Sequence, residues 1–158
     1  MKNGSCSLPL LLTLGDPNGI GPELVCRLHL SGRLARKERA LAVIGPEAAL
    51  AVHCQRLGLD PFWQAVDNVT QLGPSGIFCL QPPVLDGLDL KLGRAEVRGG
   101  SAAGLSLETA CSLLLSGRAA GLVTCPLNKA MLQEAGFYFP GHTEFLADHS
   151  KMSPEDVC

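Results

Sequence analysis

Three short stretches carry residue types able to do chemistry. The first is Gly15-Asp16-Pro17-Asn18-Gly19-Ile20-Gly21-Pro22-Glu23, which sets a carboxylate and an amide among glycines between an apolar run and a helical pattern. Ligand loops of open α/β sheets lie at such strand-to-helix junctions, and glycine lets a backbone approach a ligand closely. No Gly-Lys-Ser/Thr follows, so it is not a P-loop. Leu24 occupies the third glycine position of the dinucleotide fingerprint, so it is not that either. The stretch reads as a plain tight turn or as a loop facing a substrate or an interface.

The second stretch is Thr124-Cys125-Pro126-Leu127-Asn128-Lys129, again a strand end running into a helix start. Asn128 suits an N-cap better than a ligand. Lys129 could meet an anionic group, or stand exposed in a first helical turn as surface lysines do. The third stretch, Phe139-Pro140-Gly141-His142-Thr143-Glu144-Phe145, brings an imidazole and a hydroxyl together at a helix start. Backbone donors and the positive dipole end there favour a phosphate or carboxylate, although a lone loop histidine is often merely exposed.

Other candidates carry less. His142 and His149 lie seven apart with Asp148 nearby, too few donors to close a metal site. His29 and His53 are expected on helix surfaces without partners. Asn68-Val69-Thr70 matches a glycosylation sequon by chance. The seven cysteines include no C-x-x-C pair, and an odd number scattered through apolar runs reads as buried free thiols in a reducing cytosol.

Short apolar runs alternate with helical segments, which places the chain in the α/β class. Strands are expected over 10–14, 40–44, 77–80 and 121–124. Pro22 fits the first turn of a helix, where its missing N–H costs nothing. Residues 47–57 read as a helix closing near Gly58. Leu107, Ala110, Cys111 and Leu114 form a helical stripe stopped by Gly117, and Asn128 opens a helix running through Ala135 to Gly136. Residues 60–104 are rich in proline and glycine and, apart from 77–80, read as loops or short edge strands, with a mixed acidic and basic patch from Asp86 to Arg98. The small run Gly99-Gly100-Ser101-Ala102-Ala103-Gly104 is expected to be a flexible boundary or hinge. Helices are also expected over 143–150 and from Ser153, where a cap, a proline and two acids open a helix that the chain leaves unbuilt. That ending suggests a fragment or a truncated product.

The 158 residues suffice for one α/β domain with a sizeable core, and 46% hydrophobic against 18% charged residues suits a globular protein. A net charge of −2 gives no electrostatic footprint for nucleic acid or an anionic membrane. The apolar run Leu8 to Leu14 is too short and too broken by Pro9 for a signal peptide. Nothing approaches the roughly 20 apolar residues of a membrane span.

Taken in order, the three stretches resemble the 4-hydroxythreonine-4-phosphate dehydrogenase family of pyridoxal phosphate synthesis. Asn18 stands where that family usually has Ala, and Cys125 where it has a small residue. The resemblance implies an isocitrate/isopropylmalate-dehydrogenase-like three-layer α/β/α fold, truncated here within the second domain. On that reading the chain is the family's N-terminal portion, with a first domain over about 1–104 and the start of a second over about 105–158. It further implies a cytoplasmic homodimer. The activity implied is oxidation of 4-phosphooxy-threonine by NAD or NADP, with a divalent metal (Zn, Mg or Co). The product, a β-keto acid, decarboxylates to 3-amino-2-oxopropyl phosphate.

By the same match His142 and Thr143 bind the phosphorylated amino acid substrate, with Lys129 as a possible neighbour on the substrate side. No catalytic or metal-ligating residue is assigned, because the family's three metal-binding histidines lie in segments that would follow Cys158. The chain alone is therefore expected to be inactive. Two alternatives stand beside this: a relative acting on a tetronate phosphate or similar four-carbon phosphorylated hydroxy acid, and a truncated, non-catalytic domain.

Overall fold

The computed structural model describes residues 7–34, 38–138 and 145. The expected helices over 143–150 and from Ser153 lie outside the described residues, Phe145 excepted, which is helical. Five parallel strands form one sheet: β1 (Leu10–Thr13), β2 (Ala40–Ile44), β3 (Gln64–Val66), β4 (Gly76–Leu80) and β5 (Gly121–Thr124), in the order β3-β4-β2-β1-β5. A parallel sheet covered on both faces needs strands that are apolar on both sides, which is why β2 and β4 read as apolar runs and β1 as one but for Thr13 at its end.

The two faces have separate cores. Leu12, Leu14, Val43, Ile77 and Cys79 pack with α1 (Gly21–Leu30) and α2 (Glu47–Leu57) through Val25, Cys26, Ala49, Leu50 and Cys54. Leu11, Ala42, Ile44, Phe78 and Leu80 pack with α3 (Val97–Leu115) through Ala110 and Leu113. The expected α/β/α layering is therefore present. The connections through α1 and α2 travel toward the β3 edge. The one through α3 travels back to the β5 edge, and it uses the opposite face. Crossovers of a single hand require that switch.

Local signals set the ends of the helices. Pro22 sits in the first turn of α1. Gly58 ends α2 in the left-handed conformation, with φ 65°. The Asn128 side chain accepts the Met131 N–H at the start of α4 (Lys129–Glu134), and Gly136 follows its end at φ 94°. Asn68 caps a 3-10 turn over Val69–Gln71, which gives that sequon residue a structural role.

Three expectations are corrected. The glycine-rich run 99–104 is no hinge: α3 passes through it unbroken, and β5 beyond it pairs with β1 in the same sheet. The reason is close packing. A Cβ on Gly100 would stand 2.1 Å from the Met131 carbonyl oxygen, and one on Gly104 would stand 2.5 Å from the Phe137 ring. His53 is buried rather than exposed, and its Nε2 has no hydrogen-bond partner among the described residues. His29 stacks on Phe62, with ring centroids 3.9 Å apart.

The five described cysteines, Cys26, Cys54, Cys79, Cys111 and Cys125, are buried and free, as expected. No helix of the described residues is long and apolar enough to cross a membrane.

Candidate functional site

A parallel sheet delivers all its strand-ending loops to one edge. The connection leaving β1 runs to one side with α1, while the connection entering β5 comes from the other side with α3, so the C-terminal ends of β1 and β5 flank the place where the winding reverses. Open α/β sheets bind ligands outside the strand ends at such a point. Both the first and second chemistry-bearing stretches arrive there.

They also touch. The Asp16 N–H donates to the Pro126 carbonyl at 3.1 Å, and the Cys125 N–H donates to the Thr13 carbonyl at 3.0 Å. Gly15 adopts φ 67°, and a Cβ on it would lie 2.1 Å from the Pro126 carbonyl oxygen. Gly21 is pressed between the Leu14 carbonyl oxygen and Cys125 Cβ, at 2.0 and 2.9 Å from where its own Cβ would be. Gly15 is required by contact with the second stretch, and Gly21 by the end of β1 first and by Cys125 second.

Asp16 and Asn18 form the polar centre of this edge, and both side chains are buried. Asp16 Oδ1 accepts the Asn18 N–H at 2.9 Å. Burial pushes the Asp16 carboxyl above its ordinary range, a rise that the Asn18 amide hydrogen bond partly offsets. Asn18 Oδ1 accepts the Lys91 N–H at 2.7 Å, and the Asn18 carbonyl accepts the Gly93 N–H at 2.7 Å. Lys91 Nζ lies 3.4 Å from Glu96 Oε1, just before α3. Thr13, the last residue of β1, is fully buried, and its Oγ1 has no hydrogen-bond partner among the described residues.

Lys129 is the first residue of α4 and is exposed. His142 and Thr143 lie outside the described residues. From the same stretch, Phe145 is buried and packs with Leu107 and Cys111 of α3, beside Leu127 of the second stretch. Sequence reasoning assigned no role to Asp16 or Lys91. The Asp-Pro-Asn-Gly order does signal a turn closed by an aspartate side chain, but nothing local signals the link from Asn18 to Lys91. Among the described residues no group of three or more His, Cys, Asp or Glu is placed to hold a metal ion.

Residues 37–157 match the family model of pyridoxal phosphate biosynthetic protein PdxA. The chain belongs to that family. A 4-hydroxythreonine-4-phosphate dehydrogenase of Erythrobacter litoralis is 37% identical to it over 159 residues, spanning 98% of this chain and 45% of the relative. A D-threonate 4-phosphate dehydrogenase of Bordetella bronchiseptica is 36% identical over 151 residues, spanning 87% of this chain and 40% of the relative. Among solved structures, the 4-hydroxythreonine-4-phosphate dehydrogenase of Klebsiella pneumoniae superposes with a TM-score of 0.80 at 29% identity, covering 93% of this chain and 46% of that one. The chain thus spans under half the length of these PdxA relatives. What it shares with them includes the edge where β1 and β5 end.

Proposed function

We propose that this chain supplies the substrate-facing edge of a dehydrogenase that oxidises 4-phosphooxy-threonine in pyridoxal phosphate synthesis. The observation that carries the reading is the PdxA match over residues 37–157, combined with the contact of the first two stretches at the winding reversal. In the reaction the carbon bearing the secondary hydroxyl gives a hydride to NAD or NADP, and the hydroxyl gives up its proton. The resulting β-keto acid loses carbon dioxide to leave 3-amino-2-oxopropyl phosphate.

His142 and Thr143 hold the substrate by hydrogen bonds in this reading, and Lys129 adds positive charge on the same side. They contribute orientation and not bond-making. The divalent metal of this reading finds no donor set among the described residues. Assembly as a homodimer belongs to the same reading.

A second reading is supported by the names of two relatives, the Bordetella enzyme and a putative D-threonate 4-phosphate dehydrogenase of Bradyrhizobium diazoefficiens that is 39% identical over 140 residues. D-threonate 4-phosphate carries a hydroxyl at C2 where 4-phosphooxy-threonine carries an ammonium, so the two demand different partners at that carbon. The test is NADH formation from each substrate with NAD and a divalent metal, using this chain and a form extended to the length of its relatives. Turnover of 4-phosphooxy-threonine supports the first reading. Turnover of D-threonate 4-phosphate alone replaces it with the second, and turnover of neither overturns both.

A further inference from the structure

We infer that Asn18 is a positioning residue that fixes the Lys91–Arg94 turn against the ligand edge of the sheet. Two bonds from one buried residue hold that turn. The side-chain Oδ1 accepts the Lys91 N–H and the main-chain carbonyl accepts the Gly93 N–H, each at 2.7 Å. The turn closes on itself through the Arg94 N–H to the Lys91 carbonyl, 2.9 Å, with Gly93 at φ 77°. It carries two cations, Lys91 and Arg94, and Lys91 reaches on to Glu96, the residue that precedes α3.

Asn18 is itself bonded to the turn after β1 and closely approached by α3. Its N–H is fixed by Asp16 Oδ1, and its Nδ2 lies 3.0 Å from where a Cβ on Gly99 would be. Two segments far apart in sequence therefore meet at Asn18: the turn after β1, and the stretch from Lys91 to Gly99 that leads into α3. The surroundings explain why the link matters. Glu96, at the N-cap of α3, makes no side-chain capping bond, and the first turns of α3 contain Gly99, Gly100 and Gly104. Little in residues 91–104 favours one conformation locally, because glycine is a poor helix former and the cap is missing. Anchorage to the β1 edge supplies what the local sequence lacks.

The role of this edge as a ligand side rests on the proposed function, but the anchorage itself can be tested without substrate. Amide hydrogen exchange is measured residue by residue on the protein and on three variants. In Asn18→Ala the Lys91 amide loses its acceptor, and its exchange is expected to quicken about 10-fold or more. Amides of β2 and β4 should be unchanged. Asn18→Asp keeps an acceptor oxygen in place and should restore slow exchange at Lys91. Asn18→Ser, too short to reach, should behave like the alanine variant and gives the same reading if that variant does not fold. Exchange at Lys91 that is equally fast in the parent and in the alanine or serine variant overturns the inference, as does a failure of Asn18→Asp to restore protection.

Discussion

Gly100 of α3 and Met131 of α4 meet backbone against backbone, so closely that a Cβ on Gly100 would stand 2.1 Å from the Met131 carbonyl oxygen and 2.7 Å from the Leu132 nitrogen. A main-chain carbonyl in a helix cannot swing aside as a side chain can. Helix propensity favours alanine over glycine by about 1 kcal/mol at an unconstrained helix site. Overpacking costs typically about 1–3 kcal/mol and more where backbone must move. Gly100→Ala is therefore expected to destabilise the protein, by about 2 kcal/mol or more, in urea melts. Gly99→Ala meets the side-chain atoms Asp16 Oδ1 and Asn18 Nδ2 instead, at 2.7 and 3.0 Å, and should cost less. A gain in stability from Gly100→Ala would show that α3 and α4 do not approach as described.

Asp16 gives a stability change with a defined sign. Its folded pKa is raised above the ordinary carboxylate value, chiefly by burial. A raised folded pKa means that the folded state holds the proton more tightly than the unfolded chain does. The contribution to stability is fully present below the unfolded pKa and is lost as pH rises through the folded one. Asp16→Asn removes the ionisation while keeping an oxygen for the Asn18 N–H. The variant is expected to melt higher than the parent at neutral pH, with the difference shrinking toward pH about 4. Thermal melts across that range check it, and an equal melting temperature at every pH would count against a desolvated carboxyl.

The sequence shows most readily those elements whose cause is local. The bounds of β2, α2 and β5 follow from apolar runs or periodicity punctuated by Pro46, Gly58 and proline-bearing turns, and all three stand where expected. β3 is one of the short edge strands expected over 60–104, but its place is not legible because it has three residues, two of them exposed, so no apolar pattern marks it. The front of α3 was misread because its glycines argue against a helix locally. Contacts with Asp16, Met131 and Phe137 decide the outcome, and two of those residues lie about thirty positions further along the chain. The site divides in the same way. The turn at Gly15–Gly19 announces itself through its residue types. The bond from Asn18 to Lys91 spans 73 positions and has no sequence signature.

The five described cysteines should be silent in the native protein. Thiolate is the reactive form, and burial pushes the thiols of Cys26 and Cys79 up to about 12 and those of Cys111 and Cys125 to about 11, from an ordinary 9.0. Cys54 is raised as well, again mainly by burial, and lies 3.8 Å from Cys26 sulfur to sulfur. A three-unit rise lowers the thiolate fraction near neutral pH about a thousand-fold. Iodoacetamide at about pH 8 is expected to leave these five unlabelled until urea unfolds the chain. Peptide mass spectrometry reads each position separately, and full native labelling of any of the five would contradict its burial.

His53 produces the opposite pH trend from Asp16. The ring is buried on α2, and its Nε2 lacks a partner among the described residues. Burial, first, and the nearby Arg56 lower its pKa below the ordinary 6.5, while Glu23 on α1 pulls the other way. For a depressed folded pKa the stabilising contribution is present above the unfolded value and is lost as pH falls through the folded one. The parent should therefore lose stability on the acid side of pH about 6.5, where the buried ring must take up a proton. His53→Leu removes both the titration and the unpartnered nitrogen, whose burial costs about 1–3 kcal/mol. The variant is expected to melt higher at neutral pH and to lose the part of the acid-side slope that His53 supplies. Melting temperatures between about pH 7.5 and 5 separate the outcomes. Identical slopes in the two proteins would place the acid sensitivity elsewhere, and a lower melting temperature at neutral pH would mean that the imidazole makes contacts a leucine cannot replace.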